Sequence, residues 1–291
     1  MNQLFLAPLL GILSLLHAQP TVGDQEAVQG KWRVLAVVQN FNDRLNDPAL
    51  RDSVVDINAK GLEWKDSKGT VKFSANYALR PAAKNNPSPA EIDGVIRTDD
   101  GSAQTLPGIY VLFTPDYLKI SFRQRNLDKG RPKRLEGTAD HILFVLERER
   151  VKPGPPADVA KHQELLAGEW MPLLFLDDGF EGAGKFSGNK QHIGTITGDG
   201  RVKVHDVRGK LTAHVDHKPR WLDFNEAFFG AGSPPADGFL PGIYEFLDQN
   251  TLKICYPESG WKKDSKPQDR KRPDRFFSDG NYNYWILKRL K

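Results

Sequence analysis

The chain of 291 residues contains one cysteine, Cys255, so no disulfide can close within it. Its stability must come from burying apolar surface, and this length is enough for two domains of ordinary size. A lone cysteine inside the apolar stretch LKICYP reads as a small buried hydrophobe. Long apolar runs are scarce too. The run LFLAPLLGILSLL near the N-terminus has 13 residues, too few to cross a bilayer as a helix. A strong charge of one sign is missing: 41 Lys and Arg face 37 Asp and Glu, a net +4. Val28–Arg150 holds 20 basic and 16 acidic residues, and His162–Lys291 holds 19 and 18. Neither half has the basic excess that an obligate duplex nucleic-acid partner would require. Helical periodicity is rare, with PADVAKHQELLAG, just before Trp170, as the best short helix. No G-x-S-x-G elbow is present, and nothing singles out a nucleophile.

What is present begins with that N-terminal run. A short apolar core, followed by Ala18 and then the turn-prone AQPTVGDQ, reads as a secretory signal peptide over 1–18 with a leader over 19–27. The expectation is export to the periplasm or beyond, with no transmembrane anchor after cleavage. Sixteen Phe, seven Tyr and six Trp suit a sheet-rich core.

The chain then repeats itself. LPGIY stands at Leu106–Tyr110 and again at Leu240–Tyr244, 134 residues on. YLKI and TLKI follow at the same offset, QGKW and AGEW lie 138 apart, and RPKRL/RPDRF and LER/LKR lie 141 apart, all in the same order. Five matches in register mean a tandem duplication. The units are 28–150 and 162–291, joined by a Pro/Gly-rich linker over 151–161. Within each unit the period is two, as in TVKFSANY and KLTAHVDH. Eight strands are expected near 31–40, 53–58, 61–66, 70–79, 91–96, 108–114, 117–122 and 141–148. Eight more are expected near 169–177, 190–197, 201–207, 210–217, 220–225, 242–247, 251–256 and 282–289. Pro107 and Pro241, which cannot donate to a ladder, are expected at the first residue of the sixth strand or in the turn before it. Short strands without helical crossovers suggest a closed meander barrel or a sandwich, and closure is attractive because it removes exposed edges.

Gly30-Lys31-Trp32 and Gly168-Glu169-Trp170 on the first strands, with Arg148 and Arg289 near the ends of the last, resemble the lipocalin-type barrel. That resemblance implies that each Arg packs over its Trp, within about 6 Å, at one closed end of the barrel. With the LPGIY…LKI, RPxx(F/L) and LxR elements, the chain resembles a large paralogous family of uncharacterised exported lipocalin-like domains, best known from planctomycetes and often in tandem. The resemblance spans Val28 to Lys291 and implies a fold and an export route, with no activity to carry over. TPDY at 114–117 reads as an ordinary turn.

Four places carry candidate chemistry. GFEGAGKF at 179–186 approaches a phosphate-binding loop, but Phe186 replaces the required hydroxyl and no helix follows, so it reads as a Gly-rich hairpin loop. His205 and His214 could meet across a hairpin as metal ligands, whereas His214 and His217 point to opposite faces of a strand. Asp99-Asp100 and Asp177-Asp178 read as turn residues. The segments 123–134, with six basic residues and one acidic, and 261–275, with seven and three, form duplicated basic loops. They read either as solvated loops or as a site for an anionic polymer, with Arg131, Lys133, Arg134, Lys271, Arg272 and Arg275 as the candidate contacts. Leu135 and Phe276 are expected to tuck these segments back onto their barrels.

The resulting expectation is an all-β protein of two tandem lipocalin-like antiparallel barrels of about eight strands each, with a short helix before the second. Its expected function is non-enzymatic binding, without a cofactor. The ligand would be either a small apolar molecule in a barrel mouth lined by Phe73 and Tyr77, or an anionic envelope polymer on the basic loops. The alternative is a metal-dependent hydrolase built on the second unit's histidines.

Overall fold

The computed structural model describes residues 24–80, 89–97, 101–149, 157–181, 193–204, 207–229, 239–258 and 271–290. The first unit opens with a short helix, α1 (Asp24–Val28), followed by β1 (Gly30–Gln39), β2 (Asn42–Asp43), β3 (Val54–Asn58), β4 (Gly61–Lys65) and β5 (Val71–Arg80). It continues with β6 (Ala90–Arg97), β7 (Ala103–Thr114), β8 (Tyr117–Arg123) and β9 (His141–Arg148). The second unit repeats this order with α2 (His162–Leu166), β10 (Gly168–Asp177), β11 (Phe180–Glu181), β12 (Gly194–Ile196), β13 (Arg201–Val204) and β14 (Val207–His214). It ends with β15 (Arg220–Phe229), β16 (Phe239–Asp248), β17 (Thr251–Pro257) and β18 (Tyr282–Arg289).

Each unit is an eight-stranded antiparallel meander closed on itself. β1 pairs with β9 and β10 pairs with β18, and the short β2 and β11 flank β1 and β10. A one-residue irregularity bends β1 between Val34 and Ala36, and another bends β10 between Pro172 and Leu174. Such bulges add the twist that lets a sheet curl and close.

The structure departs from expectation locally, and β14 at Val207–His214 begins three residues before its expected span of 210–217. LPGIY lies within β7 and β16 rather than at their starts, with Pro107 opposite Asp93 and Pro241 opposite Asp223. The ladder with the next strand begins only at Gly108 and Ile243, so neither proline interrupts that ladder. Another departure is α1, five residues long and too short to show a period; it falls in the segment read as a leader. The short helix expected in PADVAKHQELLAG is present as a 3-10 turn at Val159–Lys161 leading into α2, but the expected linker boundary at 161 departs, because Val159–Lys161 belongs to this helical turn and Ala157 packs against the second core.

The core has three parts. Trp32, Trp64, Phe122 and Phe144 are among the residues filling the first barrel, and Trp170, Phe246, Tyr256 and Trp285 are among those filling the second. A third cluster lies between the barrels, built from Leu35, Ile109, Leu143 and Val145 of one and Leu173, Ile243, Cys255, Tyr284 and Ile286 of the other. Strands β8, β9, β17 and β18 are therefore buried on both faces along most of their length, while β3 and β4 alternate.

Backbone pairing also joins the barrels. Asp43 N donates to Phe276 O (3.1 Å) and Glu181 N donates to Leu135 O (2.9 Å). Ser278 N donates to Phe41 O and Gly137 N donates to Gly179 O, both 2.9 Å. Leu135 and Phe276 are buried, but their segments pair with the opposite barrel's hairpin rather than folding back onto their own. Every contact in this set has its counterpart under the duplication offsets, so the barrels are related by a pseudo-two-fold axis.

Candidate functional site

At one end of each barrel the Trp and Arg side chains meet. The Arg148 guanidinium carbon lies 4.1 Å from the Trp32 ring centroid and that of Arg289 lies 4.3 Å from Trp170. Trp32 Nε1 donates to Val28 O (2.9 Å) and Trp170 Nε1 to Leu166 O (2.8 Å), the last residues of α1 and α2. Arg148 donates to the Gln29 and Ala27 carbonyls, and Arg289 to those of Ala167 and Leu165. Each short helix is thus held over the barrel end by a cation on its otherwise unpaired C-terminal carbonyls. The glycine of G-x-W follows from this geometry. Gly30 and Gly168 have φ of +128° and +145°, and a side chain at either would run into the guanidinium.

Among the described residues, aromatic side chains pack the barrel interiors. The Phe73 ring sits 6.0 Å from both Phe122 and Phe144, and Trp64 makes an edge contact with Phe144 at 5.8 Å. Burial raises the Tyr77 phenol's pKa, and a contact with Gln29 opposes that shift. The second barrel holds a cavity of about 20 Å³ among Ile196, Leu211, Phe224, Tyr256 and Trp285. That is room for about one water, whereas pockets for drug-sized ligands run to about 300–1,000 Å³. Among the described residues, Phe73 and Tyr77 pack against the first barrel's core rather than lining a hollow mouth.

The loop arginines divide into two kinds. Arg131 reaches back to the β6–β7 ladder: it donates to Ile92 O (3.0 Å) and Gly108 O, and pairs with Asp93 at 2.6 Å. Arg272 repeats this with Gly242 O and with Asp223 at 2.6 Å. The Arg of RPxx(F/L) thus clamps the Gly of LPGIY to an aspartate on the preceding strand, so Arg131 and Arg272 are structural residues rather than ligand contacts. Arg123 is likewise engaged, with its Nε on Gly130 O at 2.6 Å. Arg125, Lys129, Lys133 and Arg134 remain exposed, Arg134 lying 3.7 Å over the Phe180 ring. In the second unit Lys271 and Arg275 are exposed, and 259–270 lies outside the described residues.

The two clamps differ in their surroundings. Asp93 also binds Arg80 (2.7 Å), and Arg131 pairs with Glu91 at 3.2 Å. In the second barrel His214 Nε2 takes the place of Arg80, 2.9 Å from Asp223, and Trp221 takes the place of Glu91. Arg272 lies 4.4 Å over the Trp221 ring, and the His217 ring stacks on it at 3.3 Å. His214 is thus committed to an aspartate in an ion-pair cluster. His205, its expected metal-binding partner, lies outside the described residues, as does 182–192 of the Gly-rich loop. Among the described residues, no three His, Cys, Asp or Glu side chains are grouped to hold a metal ion.

Comparison with protein-family models finds no match, and comparison with curated proteins finds none. Among solved structures, the chain is similar at 8% identity to a protein of unknown function from the DUF3598 family of Nostoc punctiforme PCC 73102. That likeness covers 91% of this chain and 97% of the other, with a TM-score of 0.22.

One polar pair gave no sign in the sequence. His141 is buried, with Nδ1 2.7 Å from Thr138 Oγ1 and 3.1 Å from Glu136 Oε2, and its Nε2 has no hydrogen-bond partner. Burial, reinforced by nearby Arg123, pushes the imidazole down to about 4, and burial raises the Glu136 carboxyl. The equivalent positions of the second barrel hold Phe277 and Tyr282, their rings 4.4 Å apart. Ser121 Oγ supports the Glu136 carbonyl at 2.9 Å, just as Cys255 Sγ supports that of Phe277 at 3.3 Å. Burial pushes the Cys255 thiol up to about 12, so it remains a protonated, unreactive core group.

Proposed function

We propose that the protein is an exported, non-enzymatic interaction module that engages an anionic envelope polymer through the basic loop of its first barrel. The loop at 123–134 carries this reading. Arg123 and Arg131 tie it to the barrel, and a 3-10 turn at Leu127–Lys129 shapes it. Asn126 anchors it to Asp140 at 2.9 Å. Arg125, Lys129, Lys133 and Arg134 are left exposed on a fixed backbone, which lowers the ordering cost of binding. Lys271 and Arg275 are exposed in the equivalent segment of the second barrel. The resemblance to exported lipocalin-like domains and the apolar run at the N-terminus support the export part of the proposal.

The test is retention on a sulfated-polysaccharide matrix as salt is raised. The chain should elute at distinctly higher salt than a variant with Arg125, Lys129, Lys133 and Arg134 all changed to Gln, because exposed ionic contacts are screened within about 10 Å at 0.1 M salt. Equal elution of the two proteins would dispose of the proposal.

A further inference from the structure

The face between the barrels combines two kinds of charge pair. Lys253 Nζ lies 2.6 Å from Asp43, and Lys119 pairs with Glu181, with all four side chains buried. These two pairs are images of each other: Lys119 and Lys253 are equivalent at offset 134, and Asp43 and Glu181 at offset 138. Each barrel supplies one acid and one lysine, so two copies of the same barrel could form this pair of bridges as well as two different barrels.

The pair nearest the axis behaves differently. Glu147 and Lys288 are equivalent positions, opposite Arg33 in β1 and Met171 in β10. They touch each other across the axis, with Lys288 Nζ 2.7 Å from Glu147 Oε1. Glu147 is fully buried and Lys288 is 7% exposed. A residue that meets its own equivalent must, in a pairing of like barrels, meet its own copy. Two first barrels would bury Glu147 against Glu147, and two second barrels would bury Lys288 against Lys288. The neighbours follow the same asymmetry. Arg33 reaches across to Asp248 (2.8 Å) while also bonding Glu147, and the equivalents of Arg33 and Asp248 are the uncharged Met171 and Thr114. Thr251 completes the ring, accepting from Lys288 Nζ at 2.9 Å and donating to Asp248 at 3.1 Å.

We infer that Glu147 and Lys288, with Arg33 and Asp248, make this an interface that accepts only an unlike barrel. Its partner is the other half of the same chain, and a matching barrel of a second copy is refused. In a like pairing a second Glu147 or a second Lys288 replaces the opposite charge across the axis, and a buried contact of like charges is far more costly than a matched pair, so the discrimination sits at the one place where the pseudo-symmetry forces equivalents together.

The test is a double-mutant cycle in the full chain with Glu147→Gln, Lys288→Met and both together, followed by equilibrium urea unfolding. Each single change removes the cross-axis partner of a buried charge, so the pair should be coupled by at least tenfold in the unfolding equilibrium constant, the double variant being more stable than the two losses combined predict. Losses that simply add would overturn the inference. A second measurement addresses partner choice directly. A chain with a protease site within residues 151–156 is folded, cut, unfolded, refolded and weighed by native mass spectrometry. Unlike pairs should dominate the assembled species, and like pairs should rise when Lys288 is changed to Glu. A statistical mixture of like and unlike pairs from the unmodified barrels would also overturn it.

Discussion

Gly168 offers the sharpest check on how the barrel ends are built. Changing it to Ala places a methyl group on a backbone at φ +145°, directly against the Arg289 guanidinium. Left-handed strain alone costs about 1–3 kcal/mol. The guanidinium must also retreat from the Leu165 and Ala167 carbonyls and from the Trp170 ring, which adds about 2 kcal/mol from charged hydrogen bonds and cation–π contact. The expected loss is therefore about 3–5 kcal/mol in urea unfolding followed by tryptophan fluorescence. Two controls separate the causes. Gly69 has φ +81° with open space around its missing Cβ, so its Ala variant should show strain alone, about 1 kcal/mol. Gly198 has neither constraint, and its Ala variant should stay within about 0.5 kcal/mol of the parent. If Gly168→Ala loses no more than Gly69→Ala, the glycine does not serve to seat the arginine, and the account of the G-x-W motif fails.

The His141–Glu136 pair should appear in the pH dependence of stability. The imidazole titrates near 4 in the fold and near 6.5 when unfolded, so its contribution is complete above about pH 6.5 and is lost as pH falls towards 4. Glu136, raised by burial, holds its proton more tightly in the fold and works the other way. The net fall is expected to be smaller than the histidine alone would give, because Glu136 opposes it. Transplanting the second barrel's pair, Glu136→Phe with His141→Tyr, should flatten the curve between pH 4 and 6.5, and an unchanged slope would exclude His141 as its source. The clamp aspartates make a paired prediction. Asp93→Asn and Asp223→Asn should each cost about 1–2 kcal/mol, because Asp93 holds Arg80 and Arg131, and Asp223 holds Arg272 and His214, at a partly exposed site. A urea midpoint unmoved by either change would show that the clamps are ornamental.

Much of the architecture could be read from the letters. Alternation, apolar runs and turn signals located the eight meander strands of each unit, most to within one or two residues, because a half-buried strand repeats every second position and turns punctuate the rest. The starts of β7 and β16 were less legible, since a proline was taken as a strand's beginning. The two-residue strands β2 and β11 escaped notice because two residues carry no period. The Trp/Arg pairs were legible because their chemistry is local to the barrel end and written twice. The arginine clamps were half legible: RPxx(F/L) was visible, but Asp93 and Asp223 are unremarkable aspartates until the fold brings them within 2.6 Å of Arg131 and Arg272.

A faint signal of the inter-barrel face was also there. HILFVLER and YLKISFR read as nearly continuous apolar runs rather than alternating ones, the pattern of strands covered on both sides. The sequence by itself determined the duplication, the meander and the closed ends, because these depend on neighbours along the chain or on motifs repeated at a fixed offset. Only the tertiary structure decided which lysine meets which acid, which arginines are tied down, and that Glu147 faces its own equivalent. Those outcomes depend on where a pseudo-two-fold axis passes, and an axis between two barrels leaves no periodicity in either one.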